Sequence, residues 1–217
     1  MRPIASRILL LLAVVLQAAA CFEYEATIHL NPNGSGKAEF AYRFPPGLLE
    51  QTDLQGRIPL TQKDVDARYR MRAGVTQYRA EFRDLPKFKE VRLYLDFDNV
   101  SSLSERGNTF TYTVEGPYKV FRVRIDRQAA SAPSGQGNPN QAKLMRSVLD
   151  RYTIRYKIFL PDRIEISNAQ KVEWNSAEWE IPLSVFLTKE KQIVVLEAKT
   201  RASAWERIRW RMSHLLG

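Results

Sequence analysis

Asp96 and Asp98 stand two residues apart in an alternating apolar run, so on a strand both carboxylates face the same way and could share a cation or a proton. The solvated face of an edge strand has the same spacing. Other chemistry-bearing residues are sparse. His29 and His214 lie far apart, and with the single cysteine, Cys21, near the start of the chain, no His/Cys cluster has the spacing of metal ligands. Gly34-Ser35-Gly36 lacks the length and the lysine of a phosphate loop, and Asn31, Pro32 and Asn33 before it mark a turn. Neither a Gly-x-Ser-x-Gly nor a Ser-x-x-Lys signature occurs. These patterns predict a non-enzymatic protein with no cofactor and no metal.

The basic residues suggest binding instead. Arg122 and Arg124 share one face of a predicted strand, and Arg151, Arg155 and Lys157 share one face of another. If those strands are neighbours, they form a cationic patch whose guanidinium forks suit phosphate or lipid head groups. The competing reading is an exposed sheet face kept charged against aggregation. A second candidate surface lies in residues 200–217, where Trp205, Ile208, Met212, Leu215 and Leu216 fall at helical spacing within roughly 100° of arc. Arg207, Arg211 and His214 lie off that stripe, which suits a helix lying in a membrane interface. Arg209 encroaches on the stripe, and Trp210 projects from the polar side. A final helix docked on the domain's own sheet would carry a similar pattern.

The address of the chain is written at its start. Arg2 and Arg7 precede a nine-residue apolar run, Ile8 to Leu16, which is the layout of a signal peptide over residues 1–20. A bilayer-spanning helix needs about 20 apolar residues, so the run is too short to serve as a permanent anchor. Ala18-Ala19-Ala20 leads straight into Cys21, as in a lipobox, although Ala18 holds the place where lipoboxes usually carry Leu. The expectation is cleavage before Cys21, acylation of its sulfur, and tethering to a membrane on the exported side. Ordinary signal peptidase would also accept the Ala-x-Ala pattern. With one cysteine the chain cannot form an internal disulfide, and loss of the two signal arginines lowers the formal charge from +9 to +7. That surplus favours anionic membrane partners, while export argues against nucleic acid.

These residues must be held by a domain, and a hydrophobic content of 44% is that of an ordinary globular fold. Residues 21–199 read as one such domain. Phe22, Tyr24, Ala26, Ile28 and Leu30 alternate with polar residues, as do Ala38, Phe40, Tyr42 and Phe44, and the intervening Asn-Pro-Asn-Gly-Ser-Gly turn makes the pair a hairpin. Residues 48–71 predict one or two short helices, with Thr61 and Asp64 forming a capping box variant. Period-two segments follow at Tyr78–Phe82, Val91–Phe97, Phe110–Val114 and Phe121–Ile125, suggesting a meander. Residues 128–141, without any large apolar side chain, read as a mobile loop, and Ala142–Asp150 as a short helix. Strand patterning resumes from Tyr152 to Leu160 and continues through Ile164, Ile166, Val172, Trp174, Trp179, Ile181 and Ile193 to Ala198. Trp174 and Trp179 read as core anchors. The predicted class is α+β: one curved, mainly antiparallel sheet of about 7–9 strands with two or three short helices.

The start Cys21-Phe22-Glu23-Tyr24, the turn Asn33-Gly34-Ser35-Gly36, the run Val91-Arg92-Leu93-Tyr94-Leu95-Asp96-Phe97, Leu160-Pro161, Ile166-Ser167-Asn168-Ala169 and Trp179-Glu180-Ile181-Pro182-Leu183 are spread over the mature chain. Together they resemble the LppM-type lipoprotein family. The resemblance implies an α+β fold likened to lipid-binding proteins and, for mycobacterial members, binding of anionic glycolipids. The resulting expectation is a membrane-tethered envelope lipoprotein that binds an anionic lipid or glycolipid. A structural or assembly lipoprotein docking on an envelope protein complex is the alternative. Phe22, rather than Asp, follows Cys21, which favours outer-membrane sorting where the cell has an outer membrane. Because a strand begins immediately after Cys21, the anchor should hold the first hairpin close to the bilayer, with the C-terminal helix as a second contact.

Overall fold

A computed structural model of the chain describes residues 23–44, 58–86, 88–105, 107–126, 152–187 and 193–215. The expected leader, Cys21, the segment 128–141 read as a mobile loop, the helix predicted for 142–150, Arg151 and Leu216 lie outside these residues, as does the first part of the stretch 48–71 predicted to be helical.

The predicted hairpin forms from β1 (Glu23–Leu30) and β2 (Gly36–Phe44), paired in antiparallel register from Glu23↔Arg43 to Leu30↔Gly36. Gly34 takes a positive φ of 86° in the turn. Gly36 is required for a different reason: a Cβ there would stand 2.0 Å from the His29 carbonyl oxygen. The capping box also forms. The Thr61 hydroxyl accepts from the Asp64 backbone N–H, the Asp64 carboxylate accepts from the Thr61 N–H, and helix α1 (Gln62–Tyr69) begins there. Its Val65 and Tyr69 are buried.

The remaining strands are β3 (Val75–Asp84), β4 (Lys89–Phe97), β5 (Asn108–Glu115), β6 (Tyr118–Asp126), β7 (Thr153–Phe159), β8 (Ile164–Ser167), β9 (Lys171–Val172), β10 (Ser176–Pro182) and β11 (Ile193–Arg201). Short 3-10 turns occupy Val100–Leu103 and Leu183–Leu187, and helix α2 spans Ala204–Leu215. Among the described residues the fold is mostly β with two α-helices, α+β in broad terms. The expectation of one sheet with 7–9 strands is corrected: among the described residues eleven strands make two sheets, ordered β3-β4-β2-β1-β7-β10-β9 and β5-β6-β11-β8. Nor is the chain a simple meander. It leaves the large sheet after β4, builds β5 and β6 in the small one, and returns as β7, which pairs parallel to β1.

The inner faces of the two sheets share one core. Ala26, Ile28, Leu93, Leu95, Tyr156, Ile158 and Trp179 of the large sheet join Phe110, Phe121, Val123, Leu196 and Ala198 of the small one. Phe110 and Tyr156 meet across the layers with ring centroids 6.5 Å apart. Burial on one face only is what the period-two patterns encode. Trp179 is buried and donates from Nε1 to Asn168 Oδ1 at 2.8 Å. Trp174 is not a core residue: it lies in the β9–β10 turn and is 64% exposed.

Candidate functional site

The predicted cationic patch does not assemble by strand pairing. Arg122 and Arg124 lie on β6 of the small sheet, whereas Arg155 and Lys157 lie on β7 of the large one. Each set turns away from the core, as alternation demands, but the sheets face one another through their other sides. The arginines are also matched by carboxylates. Arg122 binds both oxygens of Glu115 at 2.9 and 3.1 Å, and Glu197 at 2.5 Å. Its bonds hold Glu115 below the usual carboxylate range, and for Glu197 the opposing effect of burial is outweighed by the bonds from Lys199 and Arg122 together. Arg155 binds Glu180 at 2.7 Å and Glu178 at 3.3 Å. Arg124 approaches Asp126 at 3.9 Å, and Lys157 sits over the Phe159 ring. The outer face of the large sheet continues this lattice through Arg43, Glu90, Arg92 and Glu39.

Asp96 and Asp98 do not share a strand face either, because β4 ends at Phe97 and Asp96 pairs with Lys37 at 2.8 Å. Among the described residues no three His, Cys, Asp or Glu side chains come together in a group able to hold a metal. His29 stacks on Phe159 with centroids 4.3 Å apart, and its pKa is lowered by burial and by Lys157.

The tertiary structure gathers a different set of residues. Tyr24 on β1, Tyr42 on β2 and Tyr156 on β7 occupy inward positions on neighbouring strands, with Tyr24 5.1 Å from Tyr42 and 5.6 Å from Tyr156 by ring centroids. The Tyr24 and Tyr156 hydroxyls are hydrogen-bonded to each other. Tyr69, at the end of α1, donates to Glu105 at 3.0 Å. The same carboxylate accepts from Arg72 at 2.9 Å and lies 3.5 Å from Arg68. Arg72 also reaches the Ser104 carbonyl and lies over the Tyr69 ring.

Burial pushes the Tyr24 and Tyr42 phenols well above their ordinary range and Tyr156 up to about 12. Tyr24 and Tyr42 nevertheless stay partly solvent-accessible, as do Ile154, Val185 and Val194 against the same core. The margin of the inter-sheet core is therefore aromatic, reachable from solvent, and edged by a carboxylate with two guanidiniums. It offers apolar contact, neutral hydroxyl donors and a cationic edge. Alternation placed each tyrosine on a buried face but did not show that they converge. The available signal was tyrosine, an amphipathic side chain, recurring at inward positions of three strands.

The predicted membrane-contact residues Trp205, Ile208, Met212 and Leu215 lie on α2 and are 66%, 49%, 57% and 83% exposed. Among the described residues no helix is long and apolar enough to cross a membrane.

No family model and no curated protein matches the chain. Among solved structures it is similar to the folded domain of the LppM protein of Mycobacterium tuberculosis, determined by NMR, at 13% identity. The match covers 87% of this chain and 94% of that one, with a TM-score of 0.49.

Proposed function

We propose that this chain is a non-enzymatic lipoprotein of the cell envelope, acylated and tethered at Cys21, whose tyrosine-lined margin takes up an anionic lipid or glycolipid. The observation that carries the reading is the place of the tyrosine group: Tyr24 is three residues from Cys21, a covalent reach of about 11 Å at most. A tether there keeps the margin at the lipid surface. Acyl chains would meet Ile154, Val185 and Val194. The head group would meet the neutral hydroxyls and the Arg68/Arg72 edge, where guanidinium favours phosphate. Outer-membrane sorting follows from Phe22 where the cell has an outer membrane.

The test is mass spectrometry of lipid that co-purifies with the full acylated protein. A stoichiometric anionic lipid is expected, reduced severalfold by Tyr42→Ala together with Arg72→Gln in protein that keeps its circular dichroism spectrum. Equal amounts of lipid on both proteins, or none on either, would refute the reading. The alternative, docking on an envelope protein complex, draws on Ile166, Ile193 and Val195, which stand 38–46% exposed on the outer face of the small sheet. It predicts a stoichiometric protein cross-link from those positions and indifference to lipid class.

A further inference from the structure

Helix α2 is attached to the domain by its polar side. Its first turn is capped by Ser203, whose hydroxyl accepts from the Glu206 N–H while the Glu206 carboxylate accepts from the Ser203 N–H at 2.9 Å. Glu206 then pairs with Lys119 at 2.5 Å, and Lys119 also donates to the Pro32 carbonyl in the β1–β2 turn at 2.9 Å. Glu206, Arg207 and Trp210 are the only half-buried residues of the helix, and none is fully buried. At 100° per residue these three cluster on one side, and Trp205, Ile208, Met212 and Leu215 lie on the opposite side. An amphipathic helix ordinarily turns its apolar stripe toward the core. Here that stripe points directly away from it.

What surrounds the stripe identifies its occupant. Arg209 and Arg211 flank it on either side, both exposed and neither in an ion pair among the described residues. Their long stems allow the guanidiniums to rise to phosphate while the apolar side chains enter lipid. This arrangement differs from the outer sheet face, whose arginines are matched by acids. Trp174 belongs to the same end of the molecule. Its carbonyl accepts from the Ile164 N–H, Ile164 pairs with Thr200, and Thr200 pairs with Lys119, the residue that holds α2.

We infer that α2, with Trp174 at the same end of the molecule, is a second contact with an anionic bilayer, at the far end of β1 from the acylated cysteine. Cys21 enters β1 at Glu23, whereas α2 is rooted at the turn after Leu30. Eight residues at about 3.3 Å each separate the two points by roughly 25 Å. With only Phe22 between Cys21 and the strand, both contacts reach one membrane when β1 lies along its surface. The domain therefore rests lengthwise on the bilayer instead of standing on its N-terminus. This rests on the tether at Cys21 and does not depend on what fills the tyrosine margin.

The experiment uses the full acylated chain in phosphatidylglycerol vesicles, with spin labels on single cysteines introduced by Ile208→Cys, Met212→Cys or, as an aqueous control on the edge strand β3, Gln77→Cys. Labels at 208 and 212 are expected to collide severalfold more with oxygen than with a water-soluble nickel chelate, and the label at 77 to show the reverse. Arg209→Glu with Arg211→Glu should return the 212 label to water. Protein that stays on the vesicles with its 208 and 212 labels in water overturns the inference and leaves the tether standing. Labels shielded from both quenchers, or broadened by a neighbouring label, overturn it in favour of a protein partner or a second copy. A chain that does not associate with the vesicles refutes tether and helix contact together.

Discussion

Replacing Lys119 by Met removes one ammonium while keeping most of the aliphatic volume. In the native fold this side chain is 9% exposed, lies over the Tyr112 ring, and donates to both Glu206 and the Pro32 carbonyl. Hydrogen bonds made by a charged group contribute about 1.5–3 kcal/mol each. Glu206 is 29% exposed and keeps its Ser203 partners, so part of that is recovered through water and the cap. The expected net loss is about 2 kcal/mol, which for a chain of this size lowers Tm by roughly 4–8 °C. Calorimetry measures the shift, and amide exchange should show residues 204–215 opening faster than the sheets. The pH dependence isolates the pair. Burial raises the Glu206 pKa, but the bonds from Lys119 and Ser203 outweigh it, so the folded value is depressed. The contribution is therefore complete above the unfolded carboxylate pKa of about 4.3 and is lost as pH falls through the lower folded value. The Tm gap between the two proteins should narrow below about pH 4, leaving the share owed to Pro32. A gap that is absent at pH 7, or equally wide at pH 3 and pH 7, would refute this account of how α2 is held.

Glu90 is 4% exposed and accepts from Arg43 at 2.8 Å and Arg92 at 3.1 Å. Burial raises its pKa, but Arg92 and Arg43 together lower it by more, and the net shift is downward. Glu90→Gln should cost about 2 kcal/mol in urea denaturation at neutral pH. The loss should shrink as acid protonates the native carboxylate. Gly36→Ala drives a Cβ into the His29 carbonyl and to within 2.9 Å of the Phe97 ring, so the hairpin must open at its turn. A loss of more than about 1 kcal/mol is expected from the denaturant midpoint; an unchanged midpoint would show that the turn yields freely.

Local patterns in the chain were enough to specify its local structure. Alternation marks β1, β2, β4, β6 and β7 because a strand sends successive side chains to opposite faces, whatever lies beside it. The Thr61–Asp64 box and the Asn31–Gly36 turn are satisfied within a few residues, so they too are legible. The apolar stripe of α2 is equally local. Which strand becomes a neighbour depends on hydrogen-bond partners and register chosen across the whole fold. The parallel pairing of β1 with a strand some 130 residues later, the division into two sheets, and the matching of Arg122 to Glu115 and Glu197 all follow from that choice. It buried Trp179 while leaving Trp174 in water, and it brought Tyr24, Tyr42, Tyr69 and Tyr156 together. It also decided the direction of the C-terminal stripe. Helical spacing shows only that an apolar side exists, whereas the Lys119–Glu206 pair, formed between residues 87 apart, turns that side away from the core and toward the surroundings.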